Sequence, residues 1–261
     1  MRTSSGCPRR TFDPAQARRV LEADGCVILT GLGRSPEDAV AVAHSVFGAD
    51  VLQVPEPSEV RAGGAKDRRP IDLDHSAPLP SHTDGFSFGD RFPDYFVLLC
   101  GQSSPVGGES FLVDGYEVVE RLRAADDGAE LVERLAATPV DQTEPDMHRS
   151  ISPILGHTPA GRMMLRLFPF QRPSEESTDP AADQQMIDSW RTAVVTEATA
   201  APRFKLAPGE AAIIDNYRMT HGREAYADLD RLMWRVWVWT TSALGVPDGT
   251  LHSDSRYAIT T

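Results

Sequence analysis

Ser81-His82-Thr83-Asp84-Gly85 is the stretch around which the rest of the chain is ordered. His82 and Asp84 are two residues apart, and in an extended strand residues i and i+2 project from the same face. An imidazole and a carboxylate then stand side by side, with Thr83 turned the other way. Two such groups cover one edge of a divalent metal and leave it short of a third ligand. Two histidines and one carboxylate on one face of a metal, with the other positions open, form the ligand set of non-haem Fe(II) oxygenases. Alone, His-x-Asp also suits a hydrogen-bonded pair at a strand end. The metal reading gains weight only from a third ligand and an anion anchor further along.

The composition sets the bounds. The chain has 261 residues, 41% hydrophobic and 25% charged, enough for a sizeable core and the length of one large domain. A net charge of -12 argues against broad nucleic-acid or anionic-membrane binding, which needs a basic surface. Cys7, Cys26 and Cys100 fit neither a disulfide framework nor a zinc motif. Met1 to Arg10 lacks an apolar signal core, and no run reaches membrane-spanning length. The expectation is a cytoplasmic protein with reduced thiols.

Residues 1–12 read as a flexible lead-in. Asp13-Pro14 and Ser35-Pro36 open helices, each with an N-cap residue followed by proline at the first helical position. Between them Cys26 to Thr30 reads as a buried strand. Residues 55–70 carry Pro and Gly-Gly without periodicity and read as a long loop, a candidate lid. Tyr95 to Cys100 is apolar on both faces and belongs inside a sheet. Ser110 to Val113 is a strand after the Gly107-Gly108 turn. Tyr116 to Ala125 and Ala129 to Ala136 are helical. Residues 138–180 mix short strands with Pro-rich loops, a candidate substrate-side insertion. Asp179-Pro180 caps a helix buried along Met186, Trp190 and Val194. Phe204 to Leu206, Ala211 to Asp215 and Arg231 to Thr240 are strands. Short strands in both halves, interrupted by helices, predict a mainly β fold with flanking helices. A cupin-like jelly roll brings the two halves to one cavity.

His221 is the best third ligand; His44, His75, His148, His157 and His252 lie in helices, polar loops or the tail. Alternation from Arg231 to Trp239 puts Arg231 and Arg235 on one face of an apolar strand. A guanidinium there is costly unless it meets an anion, and its planar fork suits a carboxylate. A structural ion pair with Asp or Glu is the competing use of the same chemistry.

His82-Thr83-Asp84, Gly107-Gly108-Glu109-Ser110, His221-Gly222-Arg223, Arg231 and Arg235 together resemble the taurine dioxygenase/TfdA family of Fe(II)- and 2-oxoglutarate-dependent oxygenases. The likeness runs from about residue 70 to 240. It implies a double-stranded β-helix, read here as a single domain over 1–261, with Fe(II) on His82, Asp84 and His221. It implies that Arg231, helped by Ser110 where the family has Thr, holds the distal carboxylate of 2-oxoglutarate, with Arg235 a second anion contact to cosubstrate or substrate. Dioxygen is the other cosubstrate, and succinate and carbon dioxide are the co-products. Asp84, rather than Gly or Ala, makes hydroxylation the default over halogenation, with desaturation or ring chemistry still open.

The substrate side is less sharply drawn. Phe86 and Phe88 share a face after the metal motif. Arg149, Arg162, Arg166, Phe168, Phe170 and Arg172 populate the insertion, and Arg223 follows His221. Their basic groups suggest a small, anionic or amino-acid-derived substrate, free or carrier-bound. The sequence leaves the oligomeric state open. The alternatives are a non-enzymatic jelly-roll sensor of a metal or anion, and an iron oxygenase that uses no 2-oxoglutarate.

Overall fold

A computed structural model describes residues 6–61, 76–144, 149–249 and 252–254, apart from the side chains of Phe86 and Ser87. The first helix, α1 (Pro14–Asp24), starts at the Asp13 cap and stops at Gly25, whose φ of 76° is the left-handed conformation that glycine adopts freely. The second, α2 (Pro36–Phe47), opens with a reciprocal capping box between Ser35 and Asp38. Both lie against one face of the main sheet. Its strands are β1 (Arg9–Thr11), β2 (Cys26–Leu29), β3 (Val51–Gln53), β4 (Ser58–Val60), β6 (Tyr95–Gln102), β13 (Ala211–Asp215) and β15 (Leu232–Thr240). They run in the order β1-β2-β13-β6-β15-β3, with β4 also on β15. The second sheet is β5 (Leu79–His82), β14 (Met219–Arg223) and β7 (Ser110–Asp114), in the order β5-β14-β7.

The sheets share out their side chains by alternation. Val97, Leu99, Ile213, Val236 and Val238 meet α1 and α2 in one core. The intervening Phe96, Ala212, Ile214, Met233, Trp237 and Trp239 point the other way, toward Met219 and Leu112 of the second sheet. This is the expected jelly-roll arrangement of two facing sheets, both with open edges. A third core lies behind the second sheet, under α3 (Gly115–Arg123), α4 (Gly128–Ala137) and α5 (Pro180–Ala200), with Trp190 fully buried. Among the described residues no helix is long and apolar enough to cross a membrane.

Three local expectations change. Arg9–Thr11, inside the expected lead-in, forms β1, parallel to β2, held by an Arg9–Asp24 ion pair at 2.7 Å and an Arg10–Glu210 pair at 3.0 Å. The loop expected over 55–70 contains β4, recruited by Met233, Trp234 and Arg235 of β15; residues 62–75 lie outside the described ones. Phe204 to Leu206 makes only an isolated bridge, Phe204 to Ser110.

The 138–180 segment, where described, is tied down by Arg162, just before β11 (Met163–Leu165). Its guanidinium meets Asp94 at 3.2 Å and Asp215 at 2.6 Å, between the rings of Tyr95 and Tyr217. Burial holds both carboxyls above their usual range even beside this cation. Arg162→Leu leaves two buried carboxylates without their cation and is expected to cost about 3–5 kcal/mol near neutral pH. A carboxyl whose folded-state pKa exceeds its unfolded value favours folding at low pH and loses that advantage as pH rises. The deficit is therefore largest at neutral pH and shrinks in acid. Denaturant unfolding at about pH 7 and about pH 5 checks the sign; an equal deficit at both contradicts it.

Candidate metal centre

The β5–β14 ladder places His221 directly opposite His82. Their ring centroids are 4.1 Å apart. Asp84 follows β5 by two residues, and its Oδ1 lies 3.5 Å from His82 Nε2 and 3.8 Å from His221 Nε2. The three residues each offer a ligand atom, all within 4.8 Å of one another. Thr83 is turned the opposite way, as alternation predicts. Its N–H donates to Leu167 O at 2.9 Å and its hydroxyl accepts from Leu167 N at 3.2 Å.

The imidazoles are prepared to ligate. His82 Nδ1 is 2.9 Å from the Pro80 carbonyl, which only accepts, so Nδ1 carries a proton and Nε2 is the nitrogen turned toward Asp84 and a metal. Burial, then the neighbouring His82, pull the His221 pKa down to about 3 against the attraction of Asp84, so this imidazole is neutral at ordinary pH. Burial pushes the Asp84 carboxyl up, but the Arg235 guanidinium and the two histidines outweigh it and hold it well below the usual range. The set is two imidazole nitrogens and one carboxylate, ligand types suited to a divalent first-row metal.

Asp84 is held from both ends. Its main-chain N–H donates to Asn216 Oδ1 at 2.9 Å, and Asn216 Nδ2 donates to Asp84 O at 2.9 Å and Pro93 O at 2.8 Å. Its Oδ2 accepts from Trp237 Nε1 at 2.8 Å and meets Arg235 Nη1 at 3.3 Å. The carboxylate partner of Arg235 is therefore Asp84, just beyond β5.

A cleft runs between the sheets, its walls including His82, Asp84, His221, Ser110, Arg231 and Arg235. Arg231 is 4% exposed, and its Nη1 is buried with no hydrogen-bond partner among the described residues. No carboxylate there pairs with it; it stacks on the Tyr226 ring, 4.8 Å from the centroid. Gly108 makes room for it: a Cβ there would lie 3.1 Å from Arg231 Nε. Arg223 lines the cleft too, on Tyr226 at 4.6 Å.

The substrate-side expectations are less well met. Arg149, Arg162, Arg166 and Arg172 each meet a carboxylate of the chain itself. Arg166 is bound to Asp90 at 2.7 Å and to Pro153 O, and Phe168 packs on Phe170. Phe88 sits edge-on to Trp237 and Trp239. Among the described residues none of Arg166, Phe168 and Phe88 is part of the cleft wall. The side chain of Phe86 lies outside the described ones. Sequence reasoning missed Asn216 and Trp237. Trp237 had a signal, since it shares the strand face of Arg231 and Arg235; Asn216 had none beyond its place after a strand.

Residues 10–237 match the model of the taurine catabolism dioxygenase TauD, TfdA family. The chain belongs to this family. It is 30% identical to the mitochondrial trimethyllysine dioxygenase of Gallus gallus over 167 residues, covering 59% of this chain and 39% of that protein. It is 29% identical to the gamma-butyrobetaine dioxygenase of Pseudomonas sp. (strain AK-1) over 182 residues, 61% of this chain and 46% of that one. The match thus spans less than half the length of either relative. Asparagine oxygenase, solved with Fe(II), 2S,3S-3-hydroxyasparagine and succinate, shares the fold with a TM-score of 0.63 at 19% identity, over 87% of this chain and 78% of that one.

Asn216→Ala strips the partners from the Asp84 main chain in a buried setting. It is expected to cost about 1–3 kcal/mol of stability, read as a lower denaturant midpoint. A wild-type midpoint would mean that the clamp on Asp84 contributes nothing.

Proposed function

We propose that the protein is an Fe(II)- and 2-oxoglutarate-dependent oxygenase acting on an unactivated carbon of a small anionic or amino-acid-derived substrate. The observation that carries this reading is Arg231: a buried cation without a carboxylate partner among the described residues, in the same cleft as the His82, Asp84 and His221 cluster. Such a cation needs an anion from outside. The presence of Fe(II) and succinate in the related asparagine oxygenase supports the same assignment.

In this reading His82, Asp84 and His221 hold the metal. When bound, Fe(II) with 2-oxoglutarate and dioxygen supplies oxidative decarboxylation, to succinate and carbon dioxide, coupled to oxidation of a substrate C–H. The chain's own residues do the positioning. Arg231 and Ser110 would take the distal carboxylate of the cosubstrate, a charge-assisted contact. Arg235 meets Asp84 through Nη1 and Ser253 O through Nε and Nη2, and its remaining N–H groups contact a second anion at the metal end. Phe96 and Met233, on the cleft wall, keep it dry and strengthen each of these charge contacts. Arg223, with its guanidinium donating to Ala77 O and Glu224 O, supplies positive potential toward a substrate anion.

Asp84→Ala should abolish succinate and product formation while the protein stays folded, because the side chain faces the cleft. Full turnover at unchanged iron affinity would remove Asp84 from the site. Arg231→Gln should raise the 2-oxoglutarate KM steeply, a loss of roughly 2–5 kcal/mol; a normal KM would move the anchor elsewhere. Comparing candidate acids with their amides or methyl esters, by succinate formed together with oxidised product, tests the substrate charge. Equal turnover of an acid and its neutral analogue would dispose of the anion requirement and leave the oxygenase assignment standing.

A further inference from the structure

The two oxygens of Asp84 have different surroundings. Oδ1 faces the imidazoles, 3.5 Å from His82 Nε2 and 3.8 Å from His221 Nε2. Oδ2 faces two donors from β15, Trp237 Nε1 at 2.8 Å and Arg235 Nη1 at 3.3 Å. These donors stand at i and i+2 on one strand face, and the Arg235 guanidinium lies over the Trp237 ring, 4.9 Å from its centroid. Neither donor can become an acceptor, since an indole N–H only donates and a guanidinium stays protonated. Nothing in that pair can make room for a metal at Oδ2.

Both donors are pinned in turn by one fully buried residue, Ser253. Its carbonyl accepts from Arg235 Nε at 3.2 Å and Nη2 at 2.9 Å. Its hydroxyl accepts from the Trp237 main-chain N–H at 2.9 Å. Its own N–H donates to Glu56 O at 2.7 Å. Phe88 closes on Trp237 edge-on, with centroids 5.5 Å apart.

We propose that Ser253, Arg235 and Trp237 form a relay that reserves Oδ2 of Asp84, so that Asp84 gives a metal one oxygen only. This rests on the oxygenase reading above. Carboxylates bind metals through one oxygen or two, and a second bond from Asp84 would fill a position that a chelating cosubstrate needs. Swinging Oδ2 toward the metal breaks the Trp237 hydrogen bond and the Arg235 ion pair. Trp237 and Ser253 are positioning residues: they act on the metal site only through Asp84 and Arg235. Ser253, remote in sequence from every ligand, is thereby part of the active site.

The test uses the full chain loaded with Co(II), whose visible absorption weakens as ligands are added. Metal affinity, 2-oxoglutarate affinity by calorimetry, and Tm are measured for wild type, Trp237→Phe and Ser253→Ala. Trp237→Phe is expected to keep Co(II) affinity within about threefold while losing about tenfold or more in 2-oxoglutarate affinity, with weaker absorption before cosubstrate is added. Ser253→Ala should move the same readouts in the same direction by a smaller factor, and it carries the test if Trp237→Phe does not fold. Wild-type cosubstrate affinity and spectrum in the variants would overturn the relay, as would a parallel loss of metal and cosubstrate affinity tracking Tm. If the wild-type protein binds Co(II) but not 2-oxoglutarate, the oxygenase reading fails and the relay with it; binding by wild type and variants alike removes the relay alone.

Discussion

Asp84 carries a negative charge with 3% of its surface exposed, and a buried carboxylate is tolerable only among cations and donors. Those come from separate elements. Arg235 and Trp237 reach it from β15, Asn216 clamps its main chain from the turn after β13, and the histidines stand on β5 and β14. The charge is satisfied only when the two sheets close on each other. A one-residue slip in the β5–β14 ladder would turn His221 to the opposite face. The register that packs the second sheet is thus the register that assembles the ligand cluster, and fold and site depend on each other.

Charge is distributed against the overall balance. The chain carries -12, yet Arg223, Arg231 and Arg235 face the cleft, where Asp84 is the carboxylate among the described wall residues. A cleft of one sign between low-dielectric walls concentrates ligands of the other. Net charge reports on the surface and says nothing about the interior of such a cleft. The insertion's arginines illustrate the converse: four basic residues that look like an anion site in sequence are each met by the chain's own acids.

Much of this was legible from local chemistry. Period-two alternation paired His82 with Asp84 and Arg231 with Arg235, and proline after a capping residue marked α1, α2 and α5. What failed to show was long-range. β1 and β4 are strands because β2 and β15 offer them edges, and their own composition does not say so. The link between Arg235 and Asp84 crosses 151 positions, and that between Ser253 and Trp237 joins an unremarkable serine to the site. Such partners are chosen by tertiary geometry. Trp237 could have been found, since the alternation that named the arginines also named it.

The central claim is that the cluster and Arg231 together hold a chelated cosubstrate. Anaerobic titration of the wild-type protein with Fe(II) and then 2-oxoglutarate tests it most directly, followed by visible absorption. The account predicts a metal-to-ligand charge-transfer band that needs both additions and saturates at one cosubstrate per chain. No band, or 2-oxoglutarate bound equally well without metal, would contradict it.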